Sequence, residues 1–302
     1  MSGAHRLARL GALVLIASAL AGCIDVPVQS APPTPSSTPE PTPATTTYQL
    51  GTTVWYEGLL VHVDSAVATL DERGGPVEVQ IRFENPGDED GQLNARILLQ
   101  ADAGAAASPI EPTRDSKIPT VSAHGFAATV LTYELQRVPS AEKAVLLIGE
   151  APNHVARVPL TAAGGEAVQF EPEELAVSGR GDARTLRITL RSGLLRWDLP
   201  DWSQELAADV EVITLTYDAT YLGSFTGGFA FTGDNVALRL PDGKIVEARP
   251  DGHSQSIELI AAHQTKKVLF TRFEIPSGTT GKFQLLVRNG SATTGIRFTI
   301  KG

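Results

Sequence analysis

Apolar and polar residues alternate with a period of two along most of the chain after Tyr48. In residues 77–84, 186–191 and 296–301, every second residue is Val, Ile, Leu or Phe. Successive side chains of a β-strand point to opposite faces of the sheet, so this period predicts strands with one buried face and one solvated face. That character is typical of antiparallel sheets that cover a core on one side only.

Turn signals separate these alternating runs. They include Asn-Pro-Gly at residues 85–87, Pro-Asp-Gly-Lys at residues 241–244 and Asn-Gly at residues 289–290. Beyond the first 22 residues, no segment keeps a helical apolar stripe for three turns. We therefore predict an all-β protein of short antiparallel strands arranged in two-sheet sandwiches.

The chain also repeats itself. Residues 121–148 contain an Ala-His dipeptide ending at His124, an alternating strand, a Pro-Ser dipeptide and an apolar triplet. Residues 260–287 contain the same features in the same order, with His263 in the dipeptide. The repetition predicts two tandem sandwich domains, residues 48–163 and residues 164–302, with both histidines in turns before a strand.

The N-terminal segment has the order of a secretory signal. Arg6 and Arg9 precede an apolar run, residues 10–20, that is too short to span a bilayer as a mature helix, and small residues follow it. We predict that residues 1–22 form a signal peptide, although an uncleaved anchor remains an alternative.

Leu20, Ala21 and Gly22 stand directly before Cys23, the one cysteine of the chain. This tetrapeptide resembles the lipobox of bacterial lipoproteins. The resemblance implies that Cys23 carries acyl chains such as palmitate and becomes the new N-terminus, on the extracytoplasmic face of the cell membrane. In an ordinary cleaved signal peptide, the alternative, the cysteine would be incidental.

Residues 23–47 are rich in Pro, Ser and Thr, with six prolines between residues 32 and 43. Such a composition cannot bury a core and favours extended polyproline geometry of about 3 Å per residue. We predict a disordered linker that tethers the folded part to the membrane. A docking site for a proline-recognising partner is the alternative.

The net charge excludes several partners. It is −9 for the whole chain, and loss of the two arginines in residues 1–22 makes it −11. A chain this acidic, without a Lys/Arg cluster, is repelled by nucleic acid and by anionic lipid surfaces. We therefore predict no nucleic-acid partner, and membrane contact through the N-terminal acyl chains.

Three segments carry a family resemblance: residues 49–54 (Gln-Leu-Gly-Thr-Thr-Val), 58–65 (Gly-Leu-Leu-Val-His-Val-Asp-Ser) and 81–85 (Ile-Arg-Phe-Glu-Asn). They resemble the telokin-like, immunoglobulin-type extracellular domain (DUF4352-like) of many bacterial lipoproteins of unknown function. The resemblance covers residues 48–160 and, more weakly, 168–301. It implies two immunoglobulin-like sandwiches of seven or eight strands and assigns no catalytic residues. Residues 193–209 depart from the pattern as a long insert.

Motifs that carry chemistry are sparse. The histidines lack the spacings of zinc sites, and neither a serine nucleophile elbow nor a phosphate loop occurs. An acylated Cys23 leaves no thiol for disulfides or nucleophilic attack. The acidic segment 84–91 offers oxygen ligands for Ca²⁺ but lacks EF-hand spacing, and a solvated hairpin explains it equally. We predict no catalytic residue, no metal ligand and no cofactor.

The best candidate for recognition is the segment 194–202, which contains Trp197, Asp198, Asp201 and Trp202 in an expected long connection. Loops of sandwiches often carry recognition, and an exposed tryptophan offers a large contact area to a protein or a sugar ring. In the alternative interpretation, the two tryptophans fill the end of the second sandwich or the junction between the domains.

These patterns lead to three functional hypotheses. The first is a lipid-anchored, non-enzymatic binding or scaffolding module for a cell-envelope protein or a cell-wall glycan. The second is an extracytoplasmic hydrolase of cell-wall polymers, with carboxylates in a cleft between the domains. The third is a carrier of a small ligand or lipid with a cavity inside one sandwich.

The lipid anchor is tested by Cys23→Ala. The substitution removes the sulfur that would carry the acyl chains, so we expect loss of labelled palmitate and release of the protein from the membrane fraction. Metabolic labelling and fractionation measure both. Retention of the label in the variant would contradict the prediction.

Overall fold

The structure, a computed structural model, describes residues 42–102, 108–138, 140–161, 168–250 and 257–301. Its regular elements are β-strands and two short 3-10 turns, so the prediction of an all-β chain is confirmed. The signal peptide, the lipobox with Cys23, and the linker up to residue 41 lie outside the described residues. So does the predicted domain boundary after residue 163.

We call the described residues 42–161 the N-terminal half. Its strands, in chain order, are β1 (Ala44–Tyr56), β2 (Leu59–Leu70), β3 (Gly74–Glu84), β4 (Gly91–Gln92), β5 (Ile97–Gln100), β6 (Thr120–Val121), β7 (Phe126–Gln136), β8 (Val145–Ile148) and β9 (Ala156–Pro159). They form three antiparallel sheets with the orders β1-β2-β3-β7, β5-β8-β9 and β4-β6.

We call the described residues 168–301 the C-terminal half. Its strands are β10 (Glu173–Leu175), β11 (Gly179–Ala183), β12 (Leu186–Arg196), β13 (Asp198–Leu199), β14 (Gln204–Glu205), β15 (Val210–Tyr221), β16 (Phe229–Phe231), β17 (Val236–Arg239), β18 (Ile245–Glu247), β19 (Glu258–Ile260), β20 (Thr265–Pro276), β21 (Gly281–Asn289) and β22 (Ala292–Ile300). The 3-10 turns are Pro200–Trp202 and Gly233–Asn235.

The pairing order of the N-terminal half recurs in the C-terminal half. One large antiparallel sheet has the order β10-β12-β15-β20, with β11 also paired to β12, and it corresponds to β1-β2-β3-β7. The pair β16-β19 corresponds to β4-β6, and β17-β21-β22 corresponds to β5-β8-β9. Strand β18 extends that last sheet. The hairpin β13-β14 has no counterpart in the N-terminal half and lies between β12 and β15.

Each half has its own hydrophobic core, and both belong to one compact unit, Pro41–Gly302. The buried residues of the first core lie between Leu50 and Leu160, and those of the second lie between Leu175 and Ile300. The predicted alternation accounts for these cores, because the apolar positions of strands such as β3 and β22 are the buried ones. Water-excluded apolar area of this kind is the main stabilising contribution to a fold.

Two local predictions have different outcomes. His124 and His263 both lie in a turn directly before the edge strand of a large sheet, as their equivalent repeat positions predicted. Both also have a positive φ (53° and 59°), which the sequence did not predict. The predicted linker, however, is too long by four residues. Strand β1 begins at Ala44, because residues 44–47 pair with the end of β2.

Within the ranges given above, the structure has no helix that is long and apolar enough to cross a bilayer.

Gly74 and Gly243 both have a positive φ, but only Gly74 has neighbouring atoms that a β-carbon would overlap. Gly74 has φ +107° and abuts the Leu135 carbonyl, which a β-carbon would overlap, whereas Gly243 has φ +90° and open space around it. We expect Gly243→Ala to destabilise by about 1–2 kcal/mol from backbone strain alone. Gly74→Ala should cost clearly more. Urea unfolding of both variants measures the difference, and equal losses would contradict the overlap.

Candidate functional site

Residues 197–209, which we call the insert hairpin, contain β13, the turn Pro200–Trp202 and β14. In the N-terminal half the corresponding connection, between β2 and β3, is only residues 71–73 long. The insert hairpin therefore makes the C-terminal half different from the N-terminal half. It does not project freely into solvent, since it packs against the β1-β2 turn and the segment around His154.

The carboxylate of Asp198 is the centre of this contact. Its Oδ2 accepts hydrogen bonds from the Trp55 indole Nε1 (2.9 Å) and from the backbone N–H of Gly58 (2.6 Å), both in the N-terminal half. The Arg196 guanidinium donates to both carboxylate oxygens, at 2.7 and 3.1 Å, and lies over the Trp55 ring. Asp198 is only 2% exposed, so these donors replace the water that its charge has lost.

The β1-β2 turn has the shape that this contact requires. Its two central residues, Glu57 and Gly58, both have positive φ (49° and 84°), as in a type I′ hairpin turn. A β-carbon at position 58 would lie 2.8 Å from Pro200 Cβ, so only glycine allows the insert hairpin to approach this closely.

Two further carboxyl groups are buried beside Asp198. Glu57 Oε2 accepts from the backbone N–H groups of Asn94 (2.6 Å) and Ala95 (3.2 Å). Burial raises the pKa of Glu57, and those two amides counteract part of the increase. Burial also raises the pKa of Glu205 to about 9, and the neighbouring Asp198 carboxylate adds to that increase. Glu205 is therefore protonated at neutral pH.

His154 completes the buried cluster. Its backbone carbonyl accepts a hydrogen bond from the Tyr56 hydroxyl (2.5 Å), and its Nδ1 lies 3.2 Å from the Leu206 carbonyl oxygen and 3.6 Å from Glu205 Oε1. Burial lowers the pKa of His154, so the ring is neutral, and the carbonyl contact requires that Nδ1 carries the proton. His154 Nε2 and Glu205 Oε1 are buried and have no hydrogen-bond partner in the described part of the chain.

Aromatic rings extend the junction. Trp197 is half-buried with its ring 6.3 Å from that of Phe170, which in turn lies 5.3 Å from the His154 ring. Phe170 packs against the core of the N-terminal half. Trp197 thus lies in the junction between the two cores.

A cleft of about 660 Å³ opens beside this junction. The acidic segment 84–91 contributes one part of its lining through residues Asp88, Glu89 and Asp90, and the turn Pro200–Trp202 contributes another. Trp202 is 50% exposed, so much of its indole is available to a ligand. Two regions that sequence analysis considered separately, the acidic segment and the tryptophan segment, therefore share one cleft.

The acidic segment is a folded loop held by Asn85. The Asn85 side chain accepts from the Gly87 N–H (2.9 Å) and donates to the Glu89 and Val121 carbonyls (2.8 and 3.1 Å). Asp88, Glu89 and Asp90 are exposed, and Asp88 Oδ1 lies 3.0 Å from His124 Nε2. In the described ranges, no group of three His, Cys, Asp or Glu side chains is placed to hold a metal ion.

Charge in the cleft is predominantly negative. Arg196 lines the cleft but binds Asp198, and Asp201 accepts a hydrogen bond from Arg272 at 2.5 Å. The carboxylates of the acidic loop therefore set the electrostatic character of the entrance. A ligand with hydrogen-bond donors or positive charge suits this lining.

The predicted recognition residues have different environments. Trp202 and Asp201 are exposed at the cleft, whereas Asp198 is buried and Trp197 is half-buried in the junction. The expected long connection begins at residue 197 and not at residue 194, because residues 194–196 continue β12 in register with β15. Asp198 cannot contact a partner, since its carboxylate is occupied by Trp55, Gly58 and Arg196.

The amino-acid sequence did not reveal the buried carboxyl cluster. Glu57 and Glu205 lie 148 positions apart in the chain, and only the tertiary contact shows that they are neighbours. The local sequence offered no signal, because an acid beside a buried apolar residue also occurs on the solvated face of a strand, as at Glu78 of β3.

No family model matches the chain, and no curated protein matches it. Among solved structures, a similar one is the crystal structure of a conserved domain protein from Bacillus anthracis. It is 10% identical, with 84% of this chain and 90% of that chain covered, at a TM-score of 0.26. A likeness this weak assigns no function, and the resemblance to the telokin-like family stays a prediction.

The proton on Glu205 makes folding depend on pH. Folded Glu205 holds its proton until pH approaches 9, whereas the unfolded chain releases it near the ordinary value of 4.5. Folding therefore takes up a proton between these limits, and this contribution to stability falls as pH rises, by at most about 1.4 kcal/mol per pH unit. Glu205→Gln removes the titration. We expect the variant to gain stability relative to the wild type from pH 5 to pH 8.5 in urea unfolding, and parallel profiles would contradict this.

Proposed function

We propose that this chain is a membrane-anchored extracytoplasmic lipoprotein, in which two tandem immunoglobulin-like sandwiches present a non-enzymatic binding cleft to a cell-envelope protein or glycan. The observation that carries the proposal is the cleft in which a half-exposed Trp202 lies beside the acidic loop. The sequence order of basic residues, apolar run and Leu-Ala-Gly-Cys supports the anchor.

Two separate cores and a recurring pairing order support the tandem-domain part of the proposal. In each half, a larger sheet of four or five strands and a smaller sheet of three or four strands contribute residues to the same core, which is the arrangement of a sandwich. The junction between the halves is polar and hydrogen-bonded, as in contacts between domains of one chain.

The chemistry of the cleft suits recognition. The indole face of Trp202 offers apolar contact to the flat face of a sugar ring, or cation–π contact to a basic side chain. The carboxylates of Asp88, Glu89 and Asp90 can accept hydrogen bonds from hydroxyl or ammonium groups on the same ligand. Aromatic residues within partly enclosed clefts often dominate binding energy.

The hydrolase alternative has less support from the geometry. It needs two carboxyl groups placed on either side of a scissile bond, one of them poised as an acid. Glu57 has a raised pKa and lines the cleft, but its Oε2 is occupied by two backbone amides and the residue is largely buried. The carrier alternative needs a cavity inside one sandwich, whereas each half has a cluster of buried apolar side chains at its centre.

Trp202→Ala tests the cleft, with Phe126→Ala as the matched control. Both aromatic rings are largely exposed, but Phe126 lies at the start of β7 and does not line the cleft. We expect Trp202→Ala to weaken binding by at least about tenfold, since a central aromatic contact is typically worth more than 1.4 kcal/mol. The control should bind like the wild type.

Two assays cover the two classes of partner. Co-sedimentation with purified cell-wall sacculi measures glycan binding. A photo-crosslinking residue placed at position 202, compared with one at position 126, detects an envelope protein in living cells. Unchanged sedimentation of Trp202→Ala, together with no crosslink specific to position 202, would refute the proposal.

A further inference from the structure

We propose that the junction between the two halves opens and closes with the protonation state of Glu205. The halves stay together while the buried carboxyl group keeps its proton. They separate locally, with both cores intact, when it loses that proton. The inference goes beyond the proposed function, because it concerns how the halves are held together and not what the cleft binds.

Polar contacts hold the insert hairpin to the N-terminal half. Besides the hydrogen bonds of Asp198, the His154 N–H donates to the Leu206 carbonyl at 3.1 Å, and the Ala208 N–H donates to the Pro152 carbonyl at 2.9 Å. Contacts of this kind can be exchanged for contacts with water. Polar junctions between domains therefore separate more readily than shared apolar cores.

The apolar side chains of the insert hairpin pack within the C-terminal half. They form a small cluster with the start of β15, which is distinct from both cores and consists of Leu199, Leu206, Val212 and the partly buried Val210. The hairpin can therefore leave the N-terminal half without exposing the buried residues of either core. Local opening of this kind costs less free energy than global unfolding.

A short connection can serve as the hinge. Gln169 makes two backbone hydrogen bonds with β1, at 2.8 and 3.2 Å, and Phe170 packs against the core of the N-terminal half. Strand β10 begins at Glu173 and pairs with β12 of the C-terminal half. Residues 171–172 lie between these two attachments, so a change of their backbone angles reorients the halves.

Glu205 is the group that makes the closed junction sensitive to charge. Its side chain is 3% exposed, its Oε2 accepts one long hydrogen bond from the Glu57 N–H (3.4 Å), and its Oε1 has no partner in the described ranges. Asp198, in contrast, has donors on both oxygens. A neutral carboxyl group tolerates so few donors, but a buried carboxylate does not.

Other ionisable groups surround Glu205 and His154 on every side. They are Tyr56 and Glu57 at the β1-β2 turn, Arg196 on β12, Asp198 on β13, Asp209 at the end of the insert hairpin and Glu211 on β15. The positive charge of Arg196 is already bound by Asp198. Ionised Glu205 would thus add a carboxylate beside Asp198, and separation of the halves admits water to both.

The direction of the pH dependence follows from these environments. Burial raises the pKa of Glu205 to about 9, so closure is favoured below the ordinary value of 4.5 and is progressively opposed as pH rises towards 9. Burial also raises the pKa of Glu57, which acts in the same direction. Burial lowers the pKa of His154, so its protonation opposes closure only on the acid side of its ordinary value of 6.5.

Opening would also divide the cleft. The acidic loop belongs to the N-terminal half, whereas Trp202 is carried by the insert hairpin. Separation of the halves therefore moves one wall of the cleft away from the other. Loss of ligand binding at high pH is a consequence that rests on the proposed function, but the opening itself does not.

Hydrogen exchange of the tryptophan indole N–H groups, followed by NMR, tests the opening. The chain is used from residue 24 onward, because neither core contains a residue before Leu50. The Trp55 N–H is bonded to Asp198 across the junction, and the half-exposed Trp202 is the internal reference for the intrinsic effect of pH. We expect the Trp55 rate, relative to that of Trp202, to rise about twentyfold from pH 7 to pH 8.5, as linkage to a carboxyl group with pKa values of about 9 closed and 4.5 open requires.

Glu205→Gln stays neutral and should lose most of this rise. Glu78→Gln, on the exposed side of β3, is the matched control and should behave like the wild type. The proposal is overturned if the relative rate stays constant in the wild type, or if it rises equally in Glu205→Gln.

Backbone amides of β3 and β21 distinguish local opening from unfolding. They should keep their protection while the Trp55 indole loses it, and simultaneous loss would overturn the proposal because it indicates global unfolding. This measurement needs only the wild type, so it is decisive even if Glu205→Gln does not fold. The test involves no ligand, so its failure is distinguishable from failure of the proposed function.

Discussion

The buried carboxylate of Asp198 is the interaction on which the arrangement of the two halves depends. A charge that is 2% exposed is tolerated only where fixed donors replace water, and here one half supplies Arg196 while the other supplies Trp55 and Gly58. Loss of one partner of a buried charge typically costs about 3–5 kcal/mol. Because the donors come from both halves, the same contact that satisfies the charge also orients one core against the other.

The cleft follows from that contact. Asp198 holds the insert hairpin against the β1-β2 turn, where Gly58 lets Pro200 approach. The turn Pro200–Trp202 is thereby fixed beside the acidic loop, and Trp202 stays half-exposed. A recognition residue held by a rigid support loses little conformational entropy on binding, which supports the cleft as a binding site.

Strand positions were predictable from the sequence because they depend on local rules. The period of two identified β3, β12 and β22, and the Asn-Gly and Pro-Asp-Gly signals identified the turns after β21 and β17. The first four residues of β1 were assigned to the linker, because Ala and Thr at residues 44–47 resemble it in composition. Only pairing with β2 makes them a strand. The sequence left open whether Trp202 is exposed or fills the end of the second sandwich, and it did not predict the burial of Asp198.

The sequence by itself determined an all-β chain, the positions of its turns and a repeated order of strands, because alternation and turn chemistry act between near neighbours. Only the tertiary structure decided that Glu57, His154, Asp198 and Glu205 form one buried cluster, and that the acidic loop and Trp202 share a cleft. The physical reason is that burial depends on which distant residues exclude water from a side chain. A carboxylate in a hairpin has the same local sequence signal whether its neighbour is solvent or another half of the molecule.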